Sequence, residues 1–259
     1  MKEKNTIHPV LFVGAGPGDP ELITVKGQRA LEKADLVLYA GSLVPEALLQ
    51  WAGPGTEKIS SAAMHLDEIV AKIDAAIAAG RRVVRLHTGD PSLYGAIFEQ
   101  MAALQEKSIP YRVIPGVTAA FAAAAAMGIE YTLPQICQTL ILTRLGGRTP
   151  VPDAEKLAAL AAHQASMAIY LSIGLVDRVR AELQDAYGMD APVAIAYRVS
   201  QPDEKIIFTQ LDRLSETVEK ENITRQALII VVKILEVETT SLQHKSKLYD
   251  KHFAHGFRK

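Results

Sequence analysis

The sequence predicts an α/β protein of two domains, each a parallel or mixed sheet flanked by helices. Short runs rich in β-branched residues alternate with longer segments of helical spacing, the rhythm of strand-helix-strand units. The 259 residues give room for two cores rather than one. Near the middle, TAAFAAAAAM at 118–127 is almost all alanine. Alanine loses no side-chain entropy in a helix, so this segment reads as a helix opening the connection between the halves.

In chain order, the first half reads as strands at 10–13, 35–39, 82–86 and 111–114, separated by helices at 22–33, 45–51, 66–79 and 95–106. Helical crossovers between strands imply a mostly parallel sheet. The second half reads as strand 139–143, helix 153–163, strand 167–172, helix 176–187 and strand 193–197, then strand 205–209, helix 211–220 and strand 227–235. The Pro202-Asp203-Glu204 turn makes 205–209 the return arm of a hairpin, so this sheet is expected to be mixed. The expected domains are 1–120 and 121–240, with a tail at 241–259.

Composition narrows the function. The 28 Lys and Arg nearly balance 29 Asp and Glu, but the tail carries Lys245, Lys247, Lys251, Arg258 and Lys259 against Asp250 alone. The remaining body is acidic, which disfavours nucleic acid as a partner, since that needs a basic stripe on the folded surface. No apolar run reaches the ~18 residues of a membrane span, and MKEKNTIHPV lacks a signal-peptide core. A cytoplasmic protein with no membrane partner is expected. The lone Cys137 excludes an internal disulfide and multi-cysteine zinc sites, and reads as a small buried hydrophobe. His252 and His255 stand three apart with only His244 nearby, so no metal site is expected.

Three loops follow strands. Gly14-Ala15-Gly16-Pro17-Gly18-Asp19 invites the dinucleotide fingerprint but puts Asp19 where the third glycine belongs, and the second strand ends in Tyr39-Ala40-Gly41 without a ribose-binding acid. A glycine turn with Asp19 as helix cap is the competing reading. Thr88-Gly89-Asp90-Pro91-Ser92-Leu93-Tyr94-Gly95 also precedes a helix, and Ile114-Pro115-Gly116-Val117-Thr118-Ala119 breaks the fourth strand. Ligands of open α/β sheets sit at the carboxyl ends of strands, so the first two loops point to one crevice. His87, beside the second loop, reads as structural. Trp51 and Tyr94 are aromatic enough to stack on a planar ligand, although core packing is the commoner use of such residues.

The ordered set GAGPGD at 14–19, TGDPSLYG at 88–95 and IPGVTA at 114–119, with ALIIVV at 227–232, resembles the tetrapyrrole methyltransferase family over nearly the whole chain. Within it, YAGSLV at 39–44, YRVSQPDE at 197–204 and KSKLYDKHFAHGFR at 245–258 are similar to the branch that methylates precorrin-4 at carbon 11 in cobalamin synthesis. The resemblance implies two α/β domains with S-adenosylmethionine in the cleft between them, S-adenosylhomocysteine as product, a tetrapyrrole substrate and a homodimer. It carries the cofactor contacts over to Pro17, Thr88, Gly89, Asp90, Leu93, Thr118 and Ala119, and in the second half to Leu171, Val199 and Ala227. Leu171 replaces a methionine common in relatives and keeps an apolar wall.

Uroporphyrinogen-acting members place an Asp after the second strand's Tyr and a Lys some twenty residues on; here those positions read Ala40 and about Ser61. That departure favours a later precorrin. Asp19 is the candidate carboxylate for orienting a pyrrole N–H or taking a proton. A substrate with several carboxylates calls for cationic contacts, for which the candidates are Arg144, Arg148 and Arg198. The rival readings are a same-fold enzyme acting on RNA or protein, a nicotinamide oxidoreductase and a non-catalytic ligand-binding protein.

Overall fold

The computed structural model describes residues 8–41, 43–236, 246, 252–254 and 256. The chain divides into two units: Met1–Ala122 with Ser200–Pro202, and Ala123–Val199 with Asp203 onward. Among the described residues, no helix is long and apolar enough to cross a membrane.

The first unit is a five-stranded sheet, every pair parallel: β1 (Val10–Gly14), β2 (Leu36–Tyr39), β3 (Glu57–Ser60), β4 (Val83–His87) and β5 (Tyr111–Ile114), in the order β3-β2-β4-β1-β5. Helices cover both faces, so central strands are apolar on both sides. Val13, Val37, Val84, Leu86 and Ile114 pack toward α1 (Val25–Glu32) and the 3-10 segment Glu46–Trp51. Val10, Phe12, Leu36, Leu38 and Val83 pack against α2 (Leu66–Ala78) and α3 (Phe98–Glu106). α4 (Ala119–Met127) follows β5.

The second unit carries β6 (Leu140–Arg144), β7 (Ser166–Tyr170), β8 (Pro192–Tyr197), β9 (Lys205–Gln210) and β10 (Ala227–Val231), in the order β6-β7-β10-β8-β9. β6 and β7 are parallel, while β7–β10, β10–β8 and β8–β9 are antiparallel. This sheet is therefore mixed, and β8–β9 is the expected hairpin. α5 (Leu157–Ala161), α6 (Val176–Tyr187) and α7 (Leu214–Lys220) pack on it through Leu157, Val179, Leu183, Leu214 and Val218 against Met167, Ile169, Ile195 and Ile229.

Several elements differ from the sequence reading. β3 is an additional strand: its sequence EKIS is exposed except for half-buried Ile59, as suits an edge. The helix expected over 22–33 is a 3-10 turn (Pro20–Leu22) followed by α1, because Ile23 is extended and Thr24 accepts from Gly27 N to start a new helix. The helix expected over 45–51 is a 3-10 segment, Glu46–Trp51. The one expected over 153–163 is interrupted at Lys156, whose ψ of 141° is extended. The one expected over 95–106 begins at Phe98, because Tyr94 and Ala96 take left-handed φ values of 56° and 48°. The last strand stops at Val231 and continues as a 3-10 segment, Lys233–Glu236.

Cys137 is half-buried rather than a buried plug: its Sγ donates to Thr139 O and accepts from Ser166 N, both at 3.1 Å. Trp51 is a wedge, packed beside the Val13 core with its indole N–H on Pro20 O at 3.1 Å. His244, His255 and Lys245, Lys247, Lys251, Arg258 and Lys259 lie outside the described residues. Among the described residues, no His, Cys, Asp or Glu cluster has a metal-holding arrangement.

Candidate active site

In the first unit the three glycine loops leave the carboxyl ends of β1, β4 and β5, adjacent strands at the centre and edge of the parallel sheet. The chain runs from β1 outward to β2 and β3, returns to β4 beside β1, and crosses to β5 on the other side. Such a reversal opens a crevice at the strand ends.

The loops are packed main chain to main chain. Gly16 N donates to Gly89 O at 3.2 Å and Gly89 N to Gly16 O at 2.8 Å, while Ala15 N donates to His87 O at 2.7 Å. A Cβ on Gly14 would stand 2.6 Å from Gly116 Cα, and one on Gly116 would stand 2.2 Å from Gly89 O. Only glycine fits at either position. Asp90 locks the second loop to the third: Oδ2 accepts from Gly116 N at 2.9 Å and Oδ1 from Ser92 N at 2.8 Å. Both carboxylate oxygens are thus engaged within the loops. Thr24 Oγ1 reaches Pro115 O at 3.4 Å, a weak further tie.

Asp19 caps the Pro20–Leu22 turn through Oδ1, which accepts from Glu21 N at 2.8 Å, and its own N–H donates to Ser200 Oγ at 3.0 Å. A Cβ on Gly18 would meet Gln201 Cγ at 2.3 Å. Ser200 and Gln201 therefore form part of the first loop's surroundings. Sequence reasoning took Arg198 and Val199 from the YRVSQPDE segment as site candidates but did not set Ser200 and Gln201 beside the first loop, since nothing local ties them to a loop more than 180 residues earlier.

Pro17, Asp19, Thr88, Gly89, Asp90, Leu93, Thr118 and Ala119 all lie in these three loops at one end of the first sheet. Pro17 is buried, and Thr88, Gly89, Asp90 and Leu93 are half-buried. Thr118 is buried, and its carbonyl accepts from Phe121 N at 3.1 Å, starting α4.

The residues expected in the second half also gather at one end of their sheet. Because β10 runs against β7 and β8, its first residue Ala227 lies at the end where β7 delivers Leu171 and β8 delivers Arg198 and Val199. Arg198 N donates to Gln226 O at 2.9 Å, and Ala227 pairs with Tyr197. β6, parallel to β7, delivers Arg144 to the same end. Leu171 (φ 54°), Arg198 (φ 45°) and Ser200 (φ 65°) are all left-handed, and Leu171 is 67% exposed. Strained non-glycine residues cluster where ligands bind.

The three arginines differ in what they hold. Arg144 NH1 donates to Thr149 O at 3.0 Å and NH2 to Pro150 O at 2.9 Å, so its guanidinium fixes the loop after β6. Arg198 Nε stands 2.8 Å from Asp203 Oδ1 as an ion pair. Arg148 is exposed. Ala40 follows β2, and Ser61 is buried with its Oγ donating to Tyr39 O at 3.1 Å, so neither offers an acid or base.

Beside the second loop lie two buried polar residues that sequence reasoning left out of the site or treated as scaffold. His87 is 4% exposed, its ring is 5.9 Å from that of Phe12, and its Nε2 has no hydrogen-bond partner. Burial, together with the nearby Arg85 charge, pushes its pKa down to about 3. The ring is therefore neutral at physiological pH. Arg85 itself is buried, which pulls its pKa down to about 10 and leaves it charged. A separate open groove of about 590 Å³ lies between α2 and α3, lined by Asp67, Val70, Asp74 and Lys107, away from the glycine loops.

Comparison with known proteins agrees with this arrangement. The model of the tetrapyrrole (corrin/porphyrin) methylases matches residues 9–215. A cobalt-precorrin-4 C(11)-methyltransferase from Methanocaldococcus jannaschii is 49% identical over 251 residues, 96% of this chain and 96% of the relative. The X-ray structure of a cobalt precorrin-4 methyltransferase of cobalamin biosynthesis matches with TM-score 0.86 at 44% identity, covering 90% of this chain and 98% of that one. A uroporphyrin-III C-methyltransferase from Thermus thermophilus, solved with S-adenosylhomocysteine, matches with TM-score 0.74 at 28% identity, covering 89% and 100%. With three interlocked glycine loops on a five-stranded parallel sheet and a family match spanning both units, the chain belongs to the tetrapyrrole methylases.

Proposed function

We propose that this chain transfers a methyl group from S-adenosylmethionine to carbon 11 of precorrin-4 or its cobalt form, giving the corresponding precorrin-5. The observation that carries the reading is the packing of Gly14, Gly89 and Gly116 at the carboxyl end of the first sheet, in a chain matched along 96% of its length by a relative of that name. In this reading the first unit supplies the glycine loops, the second completes the cofactor contacts, and the protein works as a cytoplasmic homodimer. The last two points rest on composition and family resemblance.

The residues fit the cofactor. A backbone cradle without Cβ atoms suits a ligand approached through main-chain groups, and exposed, left-handed Leu171 offers an apolar contact for an adenine. Pro17, Thr88, Gly89, Asp90, Leu93, Thr118 and Ala119 would hold it from the first unit, and Leu171, Val199 and Ala227 from the second. When bound, its sulfonium supplies an electrophilic methyl group. The protein's own contribution is chiefly orientation, which can supply much of the rate of an in-line displacement. Asp90, with both oxygens engaged, serves by holding the loops rather than by lending its carboxylate.

Asp19 has one carboxylate oxygen occupied as a cap, and its Oδ2 makes no hydrogen bond among the described residues. That oxygen is placed to orient a pyrrole N–H or accept the proton displaced by methylation. Arg144, Arg148 and Arg198 are the proposed contacts for the substrate's carboxylates.

The test is mass spectrometry of the product after incubation with S-adenosylmethionine and precorrin-4, metal-free and cobalt-loaded in parallel, with fragmentation to locate the methyl. One methyl at carbon 11 supports the reading. Binding of cofactor without methylation of either substrate refutes the choice of substrate. An Asp19→Asn variant with full turnover removes Asp19 from proton transfer.

A further inference from the structure

Between the second glycine loop and α3 the chain makes a strained turn. Tyr94 and Ala96 both lie in the left-handed region, and a Cβ on Gly95 between them would stand 2.2 Å from Pro91 O. Non-glycine residues stay in that region only where the surroundings over-determine them. Here they do. Arg85 on β4 donates through Nε to Gln100 Oε1 at 3.0 Å and through NH1 to Leu38 O on β2 at 3.2 Å, and Gln100 Nε2 donates to Ala96 O at 3.0 Å. Arg85 and Gln100 are each 5% exposed. A buried cation is costly to place, and the contacts of this one link two strands to the turn at the head of α3.

The pinned turn carries aromatic surface. Tyr94 is 43% exposed, and Phe98, the first residue of α3, is 78% exposed, more than any other large apolar side chain among the described residues. Because α3 follows β4, Phe98 stands at the carboxyl end of the parallel sheet, on the segment continuous with the second glycine loop. Folding gains almost nothing from a phenyl ring left in water, whereas an aromatic ring covered by a flat apolar ligand contributes strongly to binding. A tetrapyrrole offers such a ligand face.

We propose that the 94–98 turn is part of the tetrapyrrole-binding surface, with Phe98 as the apolar contact and the Arg85–Gln100 pair as positioning residues that fix the turn. This rests on the methyl-transfer reading above. Three variants of the full chain test it, with the Michaelis constants for tetrapyrrole and S-adenosylmethionine measured separately, cofactor affinity measured by calorimetry and oligomeric state by sedimentation. Phe98→Ser is expected to raise the tetrapyrrole KM on the order of tenfold while leaving the cofactor KM within about twofold. Phe98→Leu restores most of the loss. Gln100→Glu keeps an acceptor for Arg85 but sets a carboxylate oxygen against Ala96 O, so it raises the same KM, with the cofactor KM as the control for a general loss of structure.

A Phe98→Ser enzyme with unchanged tetrapyrrole KM overturns the proposal. So does one whose two Michaelis constants rise together, or whose main change is loss of oligomerisation. Wild-type protein that binds cofactor but methylates no tetrapyrrole overturns the reading beneath it as well, which distinguishes the two failures.

Discussion

Replacing Gly116 by alanine probes the interlock of the three loops directly. The added Cβ would stand 2.2 Å from Gly89 O and 2.8 Å from Gly14 Cα, both main-chain atoms on hydrogen-bonded strands or their loops. Real Cβ contacts essentially never fall under 3.0 Å, so the second loop must retreat by roughly 0.8 Å. That retreat stretches the Gly116 N to Asp90 Oδ2 bond of 2.9 Å and passes to the first loop through the Gly16–Gly89 pair. Overpacking of this kind costs about 1–3 kcal/mol of stability. Misplacing reacting groups by ~1 Å costs on the order of 100-fold in rate, so turnover is expected to fall by at least about tenfold, with weaker S-adenosylmethionine binding alongside. The assay is titration calorimetry with urea unfolding, run beside Gly174→Ala, whose Cβ would meet nothing within 4 Å. If Gly116→Ala binds cofactor and unfolds like that control, the loops are not interlocked as described.

Three other outcomes follow from the same structure. His87 takes up a proton near 6.5 in the unfolded chain but only near 3 when folded, so its contribution to stability is complete above the first value and falls as pH drops toward the second, by ~1.4 kcal/mol per pH unit. Urea unfolding between about pH 7 and 5 checks this, and His87→Phe flattens that slope; an unaltered slope assigns the pH dependence elsewhere. Asp90→Asn replaces one of two acceptors by a donor facing an N–H, costing about 1–3 kcal/mol and loosening cofactor binding, read by thermal unfolding and calorimetry. Arg144→Lys cannot span Thr149 O and Pro150 O as the guanidinium does, so the tetrapyrrole KM rises by about tenfold and more than the cofactor KM; the reverse order removes Arg144 from substrate binding.

Elements buried on both faces were the easiest to read from sequence. VVRLH and ALIIV are buried at every position; the wholly apolar ALIIV announces a strand whatever lies around it, and VVRLH does so through its β-branched start. β3 has one half-buried residue in four, and nothing in EKIS separates it from a polar loop. Helix starts were misplaced where a single residue reverses the backbone, as at Ile23 or Ala96, since apolar periodicity does not record φ. The glycine loops were legible because glycine, proline and aspartate punctuate strand ends. Arg85 and Gln100 were not, because a charged residue within a strand and a glutamine within a helix normally face water. Their partnership needs β2, β4 and α3 assembled around them.

The first unit is not a contiguous piece of chain, for it takes in Ser200–Pro202. On the ribosome, β1 is made early but must wait for β4 and β5, some seventy to a hundred residues later, before either of its neighbours exists. Even then Asp19 lacks its Ser200 partner, and Gly18 lacks Gln201 beside it. The loop can be finished only after most of the second unit has been translated. A fragment ending at Ala122 would therefore carry all three glycine loops and still lack one wall of the first.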